Sequence, residues 1–188
     1  MNANKLVVGL AGMPGSGKSV VVDTAREMGY NIVVMGDVIR QETTKRGLEL
    51  TPQNVGKVML ELRQEEGNAV IAKRCIPQIE KQTSNKVLVD GLRSLHEADT
   101  FKAYFAKFSL VAVHASPETR FTRLSSRRRS DDAAEWAVFR ERDMRELSVG
   151  LGNVIAMAEQ MVINDDSFEA VKAKVKECLV RIEEKWQK

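Results

Sequence analysis

Five short runs of apolar residues are spaced along the chain, and each is typical of a buried strand. The runs are continuous rather than alternating, which is the pattern of a parallel sheet covered on both faces. The predicted strands span residues 6–11, 32–35, 87–89, 110–113 and 161–163. The sequence therefore predicts a five-stranded parallel sheet.

Helical patterns, with apolar residues three and four positions apart, separate these runs. The clearest follows Asp166 or Ser167, either of which is a suitable N-cap. Its apolar stripe consists of Phe168, Val171, Val175, Cys178, Leu179 and Ile182. Strands that alternate with helices in this way predict an α/β fold, in which a doubly wound sheet has helices on both faces.

Two connections are longer than a simple crossover. Residues 40–85 are predicted to hold two or three helices, one of which starts at Pro52 after Thr51. Residues 123–159 are rich in arginine and are predicted to hold two or three more. Because no flexible linker or internal repeat divides the chain, we expect residues 1–188 to form a single domain with two excursions.

A glycine-rich segment, GMPGSGKS at residues 12–19, lies between the first strand and a helix predicted over 20–28. It fits G-x-x-x-x-G-K-[ST], in which glycines allow the backbone to approach an anion and N–H groups converge on it at a helix N-terminus. The segment predicts an ATP-binding phosphate loop, with Lys18 at the β- and γ-phosphates; whether GTP can replace ATP stays open. The predicted phosphate-binding residues are Gly12, Gly15, Ser16, Gly17, Lys18 and Ser19.

A metal site is predicted beside this loop. The third strand ends in a carboxylate, Asp90, and such an Asp commonly holds Mg²⁺ in phosphate-loop enzymes. The hydroxyl of Ser19 is the second expected ligand. The expected cofactors are therefore Mg²⁺ and ATP, the latter as phosphoryl donor.

Arginines follow two other strands, Arg40 in GDVIR and Arg93 in DGLR. Both are expected at the carboxyl edge of the sheet, where ligands bind in open α/β folds. These segments resemble the nucleoside monophosphate kinases, adenylate kinase in particular, whose motifs are G-D-M-L-R and D-G-[FY]-P-R; Leu92 replaces the proline. The resemblance implies that Arg40 and Arg93 hold the acceptor phosphate, and that residues 40–85 form a helical acceptor-binding subdomain.

The spacing of further arginines resembles the lid motifs of that family. The lid is predicted to be short here and to span residues 123–146. Arg129 and Arg140 match its R-x-D-D-x₇-R, and Arg123 and Arg127 match the R-x₃-R that enters the lid. The resemblance implies that Arg127, Arg129 and Arg140 are catalytic cations around the transferring phosphoryl group. It also implies that Arg123 contacts the nucleotide.

Over nearly its whole length the chain resembles an archaeal family of adenylate-kinase-like P-loop proteins. The stretches that carry this resemblance are GMPGSGKS, MGDVIR, DGLRS, HASPETRF, RRRSDD and RDMRELSVGLG. The resemblance implies a P-loop NTPase fold of the nucleotide kinase kind and does not name the acceptor. It assigns no role to residues 145–152.

A second resemblance concerns the acceptor. Asp37 after the second strand, together with AEQMVINDDSFEAVKAKV at residues 158–175, is similar to dephospho-CoA kinases. In that family the matching Asp is the general base on a ribose 3′-hydroxyl. A hydroxyl acceptor gains about 10²- to 10⁴-fold from such a base, whereas a phosphate is already anionic near neutral pH. The arginines favour a phosphate acceptor such as AMP. The alternative is a dephospho-CoA kinase in which Asp37 is catalytic. We expect Asp37 in the acceptor site in both cases.

Three other arginines, Arg120, Arg142 and Arg145, have carboxylates near them in the sequence. Pairs of opposite charge three or four residues apart are common on helix surfaces. We therefore interpret these arginines as ion-pair partners on exposed helix faces, and they are not part of the predicted site.

Composition limits the partners. The net charge of +3 and the 5% of aromatic residues argue against strong nucleic-acid binding. Cys75 and Cys178 lie far apart without metal-ligand spacing, which indicates a reducing compartment. No apolar run approaches the roughly 20 residues of a membrane helix, so a cytoplasmic protein is expected.

A nucleotide-gated regulator that hydrolyses ATP slowly is a further alternative. The sequence does not decide between a monomer and a homodimer.

Overall fold

The computed structural model describes residues 5–127 and 135–187, and its five strands form one sheet. The strands are β1 (Leu6–Ala11), β2 (Asn31–Val34), β3 (Lys86–Asp90), β4 (Lys107–His114) and β5 (Gln160–Ile163). Their order across the sheet is β2-β3-β1-β4-β5, and every neighbouring pair is parallel. Because β1 is central, the segment that follows it lies in the middle of the carboxyl edge, where open α/β sheets bind ligands.

Helices cover both faces of the sheet, as the sequence predicts. Within the described ranges they are α1 (Lys18–Glu27), α2 (Met35–Lys45), α3 (Pro52–Glu66), α4 (Val70–Glu80), α5 (Leu95–Tyr104), α6 (Pro117–Arg127), α7 (Trp136–Ser148), α8 (Leu151–Ala156) and α9 (Phe168–Gln187). Successive side chains of a strand point to opposite faces. In β1, Val7 and Ala11 therefore pack with α2–α5 and α8, whereas Val8 and Leu10 pack with α1 and α9.

The predicted bounds differ from the observed ones where polar residues interrupt an apolar pattern. β4 begins three residues earlier than predicted and includes the buried Ser109, whose hydroxyl donates to Glu159 Oε2 at 3.2 Å and accepts from Trp186 Nε1 at 3.0 Å. Ser167 is the cap of α9, since its Oγ accepts from Ala170 N at 3.4 Å. Phe168 is 60% exposed at the first residue of that helix, so it does not belong to the buried stripe.

The two long connections contain helices, as predicted. α3 begins at Pro52, and Thr51 Oγ1 accepts from Asn54 N at 3.2 Å. The first connection begins with α2, so it starts at Met35 rather than at residue 40. The second contains α6, α7 and α8, and the predicted Arg129 lies outside the described residues. Among the helices described, none has the length and hydrophobicity of a membrane span.

Candidate active site

The phosphate loop, residues 12–19, leaves the carboxyl end of β1 and turns into α1. Gly15 and Gly17 have φ angles of 79° and 92°, a conformation that glycine adopts without strain. Ser16 N donates to Met13 O at 3.1 Å and closes the turn. The N-cap of α1 is Gly17, which has no side chain to cap the helix. The first N–H groups of α1 therefore stay available to an anion, at the positive end of the helix dipole.

Three of the loop's glycines are also required by close contacts, and a Cβ on Gly15 would lie 2.9 Å from Arg120 O. A Cβ on Gly12 would lie 2.7 Å from both Ser16 Oγ and Val113 O, and a Cβ on Gly17 would lie 1.8 Å from Asn164 Nδ2. Asn164 follows β5, and its Nδ2 donates to Ser16 O at 2.8 Å. The loop is thus fixed against the end of a strand that lies far away in the sequence.

Lys18 and Asp90 are opposite charges beside this loop. Lys18 Nζ donates to Gly12 O at 2.7 Å. Burial lowers the pKa of Lys18, and the carboxylate of Asp90 partly offsets this effect. Burial likewise raises the pKa of Asp90, and Lys18 opposes that shift. A bound anion near Lys18 and a bound cation near Asp90 would stabilise the charged forms of both groups.

The oxygens available here fit a magnesium ion. Asp90 Oδ1 is buried and has no hydrogen-bond partner in the part of the chain that the structure describes. Ser19 is exposed at the second residue of α1. Mg²⁺ prefers oxygen ligands and usually keeps several waters while it is bound by one or two protein oxygens and substrate phosphates. Across the described ranges no group of three or more His, Cys, Asp or Glu could hold a metal ion unaided, so Asp90 and Ser19 would hold Mg²⁺ together with the nucleotide.

A cavity of about 530 Å³ opens beside the loop and is lined by α2, α3 and the C-terminal half of α7. We call it the acceptor cavity. Its apolar lining includes Met35, Ile39, Val55, Met59, Ile71 and Val149. Lys18, Arg40 and Arg93 also line it. The cavity lies within the usual range for small-molecule sites, about 300–1,000 Å³, and its lining suits a ligand with an apolar body and an anionic end.

The predicted acceptor residues form ion pairs with carboxylates. Arg40 pairs with Asp37 on the same helix, and Arg93 Nη1 lies 3.1 Å from Glu146 Oε1. Asp37 is not among the residues that line the acceptor cavity. Both arginines are about half exposed, with 47% and 45% of their side chains accessible. The Arg40–Asp37 pair is exposed on both sides and contributes little to stability, about 0–1 kcal/mol, so a phosphate could replace Asp37 at low cost. Glu146 is only 14% exposed, so a phosphate at Arg93 would have to bind beside Glu146 rather than replace it.

The predicted lid arginines are placed differently from one another. Arg127 lines a second cavity, of about 230 Å³, together with Gly12, Gly15 and Lys18. We call it the donor cavity. Arg140 is exposed on α7 and lines neither cavity.

Arg123 lies behind the phosphate loop rather than in either cavity. Its Nη2 donates to Asn164 O at 2.9 Å and approaches Asn164 Oδ1 at 3.3 Å. Its Nη1 is buried and, in the described residues, has no hydrogen-bond partner. Arg123 therefore supports the Asn164 contact and has one donor directed near Gly17.

Sequence reasoning missed the part of α7 that faces the site. Arg142 and Glu146 line both cavities, and Arg145 and Val149 line the acceptor cavity. The interpretation of Arg142 as a helix-surface arginine is therefore incomplete. These four positions follow the spacing i, i+3, i+4, i+7 of one helix face, and this polar stripe was the signal in the sequence. The segment 145–152, which had no assigned role, supplies a wall of the site.

A buried pair also lies under the acceptor cavity. Arg63 Nη2 donates to Glu97 Oε1 at 3.1 Å, and both residues line the cavity. Glu97 Oε2 accepts from the backbone N–H groups of Arg93 and Ser94, at 2.8 and 3.2 Å. Glu97 thereby fixes the backbone of Arg93 and links α5 to α3.

Arg120 forms an ion pair as expected, but the pair is buried rather than on a helix surface. Its Nη1 and Nη2 donate to the Asp143 carboxylate at 2.8 and 2.6 Å. Nη1 also donates to Pro14 O at 3.1 Å. Because Asp143 lies on α7 and Pro14 in the phosphate loop, Arg120 holds this helix and the loop together.

Comparison with known proteins identifies the family to which this chain belongs. A family model described as an AAA domain matches residues 11–139. A UPF0200 protein of Hyperthermus butylicus is 47% identical over 180 residues, which cover 96% of this chain and 96% of that protein. A UPF0200 protein of Methanocaldococcus jannaschii is 49% identical over 166 residues, covering 87% of this chain and 84% of that protein.

Two solved structures are similar in fold. TT1252 from Thermus thermophilus has a TM-score of 0.63 at 19% identity, covering 95% of this chain and 98% of that chain. Shikimate kinase from Bacteroides thetaiotaomicron has a TM-score of 0.58 at 14% identity, covering 93% and 98%. The predicted P-loop NTPase fold and the resemblance to an archaeal family are confirmed. The chain belongs to the AAA domain family and to the archaeal UPF0200 proteins, with a P-loop kinase-like fold.

Proposed function

We propose that this protein is an ATP- and Mg²⁺-dependent phosphotransferase of the nucleoside monophosphate kinase type. It moves the γ-phosphoryl group of ATP to a nucleoside monophosphate such as AMP. The observation that carries the proposal is the acceptor cavity, which has an apolar wall, contains Arg40 and Arg93, and shares Lys18 with the phosphate loop.

The donor side binds the triphosphate through backbone and lysine. The first N–H groups of α1 and the ammonium of Lys18 hold the β- and γ-phosphates. Ser19 and Asp90 hold Mg²⁺, which when bound neutralises charge on the β- and γ-phosphate oxygens. Arg127 lines the donor cavity and adds positive charge beside the same phosphates.

The acceptor side binds a monophosphate in two parts. The nucleoside packs on the apolar wall formed by α2 and α3, and the phosphate replaces Asp37 at Arg40 and binds the exposed part of Arg93. Excluding water from the two phosphates favours transfer over hydrolysis. In this proposal α2–α4 form the acceptor-binding subdomain. The short lid stays a prediction over residues 123–146, of which 128–134 lie outside the described residues.

The position of Asp37 supports a phosphate acceptor over a hydroxyl acceptor. A general base must reach the proton that it removes, within about 2.6–3.2 Å or through one water. Asp37 pairs with Arg40 and does not line the acceptor cavity. A monophosphate needs no base, since its second pKa is about 6. Under this proposal Asp37 is a partner that the phosphate displaces, so Asp37→Asn leaves the reaction in place, whereas loss of a general base would abolish it.

Product identity tests the proposal. The protein is incubated with Mg-ATP and, in parallel, AMP, CMP, UMP, dephospho-CoA or no acceptor, and the products are resolved by mass. A diphosphate from one monophosphate is the expected result and names the substrate. CoA would instead make Asp37 the base of a dephospho-CoA kinase. Equal ADP in every tube would overturn both and leave a nucleotide-gated NTPase.

A further inference from the structure

The donor and acceptor cavities meet beside the C-terminal half of α7. Among the described residues, those that line both cavities are Lys18, Gly91, Arg93, Arg142 and Glu146. We call this set the junction. In-line phosphoryl transfer requires the attacking oxygen and the γ-phosphorus to be held next to each other. Under the proposed function, the transferred group therefore passes through the junction.

Two arginines of α7 have different surroundings. Arg142 belongs to the junction, whereas Arg140 is exposed and lines neither cavity. Residues two positions apart on an α-helix lie about 200° apart around its axis, so one helix cannot direct both side chains to the same place. The motif spacing assigns the catalytic role on this helix to Arg140, and the geometry assigns it to Arg142.

The charges around Arg142 are those that a phosphoryl group would meet. Arg93 is paired with Glu146, one helical turn after Arg142. Burial lowers the pKa of Lys18, and the charges of Asp90, Arg93, Glu146 and Arg142 also act on that ammonium. A guanidinium presents several N–H donors in a fixed plane and can bind two phosphoryl oxygens at once. Arg142 thus adds a second guanidinium, after Arg93, to a junction in which Lys18 is a point charge.

We propose that Arg142 contacts the transferred phosphoryl group at the junction and is a catalytic residue of the reaction; this inference rests on the proposed function. An anionic oxygen of the acceptor phosphate forms a bond to the γ-phosphorus while the bond to the β–γ bridging oxygen breaks, and ADP leaves with the electron pair. No proton is transferred, since the acceptor oxygen is already ionised near neutral pH. Arg142 stabilises the negative charge that the equatorial oxygens carry during transfer.

Three substitutions on α7 test this assignment: Arg142→Ala, Arg142→Lys and Arg140→Ala. Arg181→Ala is the matched control, because Arg181 is an exposed arginine of α9 paired with Glu177. Each variant is measured for its transfer rate at saturating substrates, its dissociation constant for Mg-ATP and its rate of ATP hydrolysis without acceptor. Thermal unfolding shows whether each variant is folded. If Arg142→Ala does not fold, Arg142→Lys still tests the assignment.

We expect Arg142→Ala to lower the transfer rate by about 10²- to 10³-fold, as loss of one donor to a developing charge does elsewhere. Its dissociation constant for Mg-ATP should change by less than about threefold, or under ~0.7 kcal/mol. Arg142→Lys should recover part of the rate, since lysine lacks the planar fork. Arg140→Ala should lose less than Arg142→Ala, and Arg181→Ala should match the wild type. A wild-type rate in Arg142→Ala, or a larger loss in Arg140→Ala, would overturn the assignment.

The same variants separate failure of this inference from failure of the proposed function. If the wild type phosphorylates no acceptor, the proposed function fails, and the hydrolysis rate then tests Arg142 with water as the attacking group. A lower hydrolysis rate in Arg142→Ala at unchanged ATP affinity would support the contact with the γ-phosphoryl group. An unchanged hydrolysis rate would overturn it.

Discussion

The donor and acceptor sides of the site are built from different parts of the chain. The donor side is largely one contiguous segment, in which two glycines have positive φ and the first N–H groups of α1 are available to an anion. The acceptor side has side chains from α2, α3, α5 and α7, and ion pairs hold several of them. A backbone site is fixed by folding alone, whereas a site made of ion pairs can exchange partners when a ligand enters. We therefore expect substitutions on the two sides to affect different steps.

Lys18→Ala has the largest expected effect, because Lys18 is the phosphate-loop side chain that we assign to the β- and γ-phosphates, and it also lines the acceptor cavity. We expect the transfer rate to fall by about 10³-fold or more, the range seen when one cation is removed from a transferring phosphoryl group. The initial rate with Mg-ATP and the identified acceptor checks this. Lys176→Ala, at an exposed position of α9, is the control; a rate for Lys18→Ala near that of Lys176→Ala would contradict the donor assignment.

Arg93→Ala separates the two sides. A hydrogen bond to a charged group contributes about 1.5–3 kcal/mol, so the KM for the acceptor should rise by about 10- to 100-fold. The dissociation constant for Mg-ATP should change less than this KM, because Arg93, although it lines both cavities, pairs with Glu146 and is assigned to the acceptor phosphate. Steady-state kinetics with each substrate varied, together with calorimetry for ATP, checks both. Equal losses for the two substrates would mean that the sides are not separate.

Gly17→Ala and Gly29→Ala test how far the donor side depends on close packing. Both glycines have positive φ, 92° and 83°, but a Cβ meets Asn164 only at Gly17 and open space at Gly29. Gly29→Ala should lower the free energy of unfolding by about 1–2 kcal/mol from backbone strain. Gly17→Ala should lower it further and weaken ATP binding as well. Chemical denaturation measures the difference, and equal losses without a change in ATP affinity would remove the role of the Asn164 contact.

The smallest effect concerns the pH dependence of stability. Burial lowers the pKa of Lys18 below its usual 10.5. Between the lowered pKa and 10.5, the unfolded chain binds more protons than the folded one. The stability that the folded state gains from a neutral Lys18 is therefore fully present above pH 10.5, and it is lost as pH falls through the lowered pKa. Relative to Lys18→Met, the wild type should become slightly more stable as pH rises through that window. Denaturation at a series of alkaline pH values checks this, and parallel curves for the two proteins would contradict it.

The fold and the donor side could be predicted because their signals are local. Five apolar runs define the five strands, and the phosphate loop is a single segment that carries its own glycines and lysine. Its contact with Asn164 could not be predicted in the same way, since the two residues meet only when β5 joins the sheet.

The acceptor side was predicted only in part, because its signals are distributed. Arg40 and Arg93 line the cavity, as their position after two strands implies. Arg142 and Glu146 resemble ordinary charged helix residues, and their role follows from the direction in which α7 faces. Arg63 and Glu97 lie far apart in the sequence and meet only through the packing of α3 near α5. The roles assigned to all the predicted site residues stay predictions, those of Lys18, Arg40 and Arg93 as much as those of Arg123, Arg127, Arg129 and Arg140.

The hydrogen bond from Asn164 to Ser16 O joins residues 148 positions apart. During synthesis, the phosphate loop leaves the ribosome early, but its partner emerges only after almost the whole sheet has been translated. A nascent chain that lacks β5 therefore has the glycine segment without the contact that fixes it. We expect the phosphate loop to reach its fixed form only late in translation, once the last strand has joined the sheet.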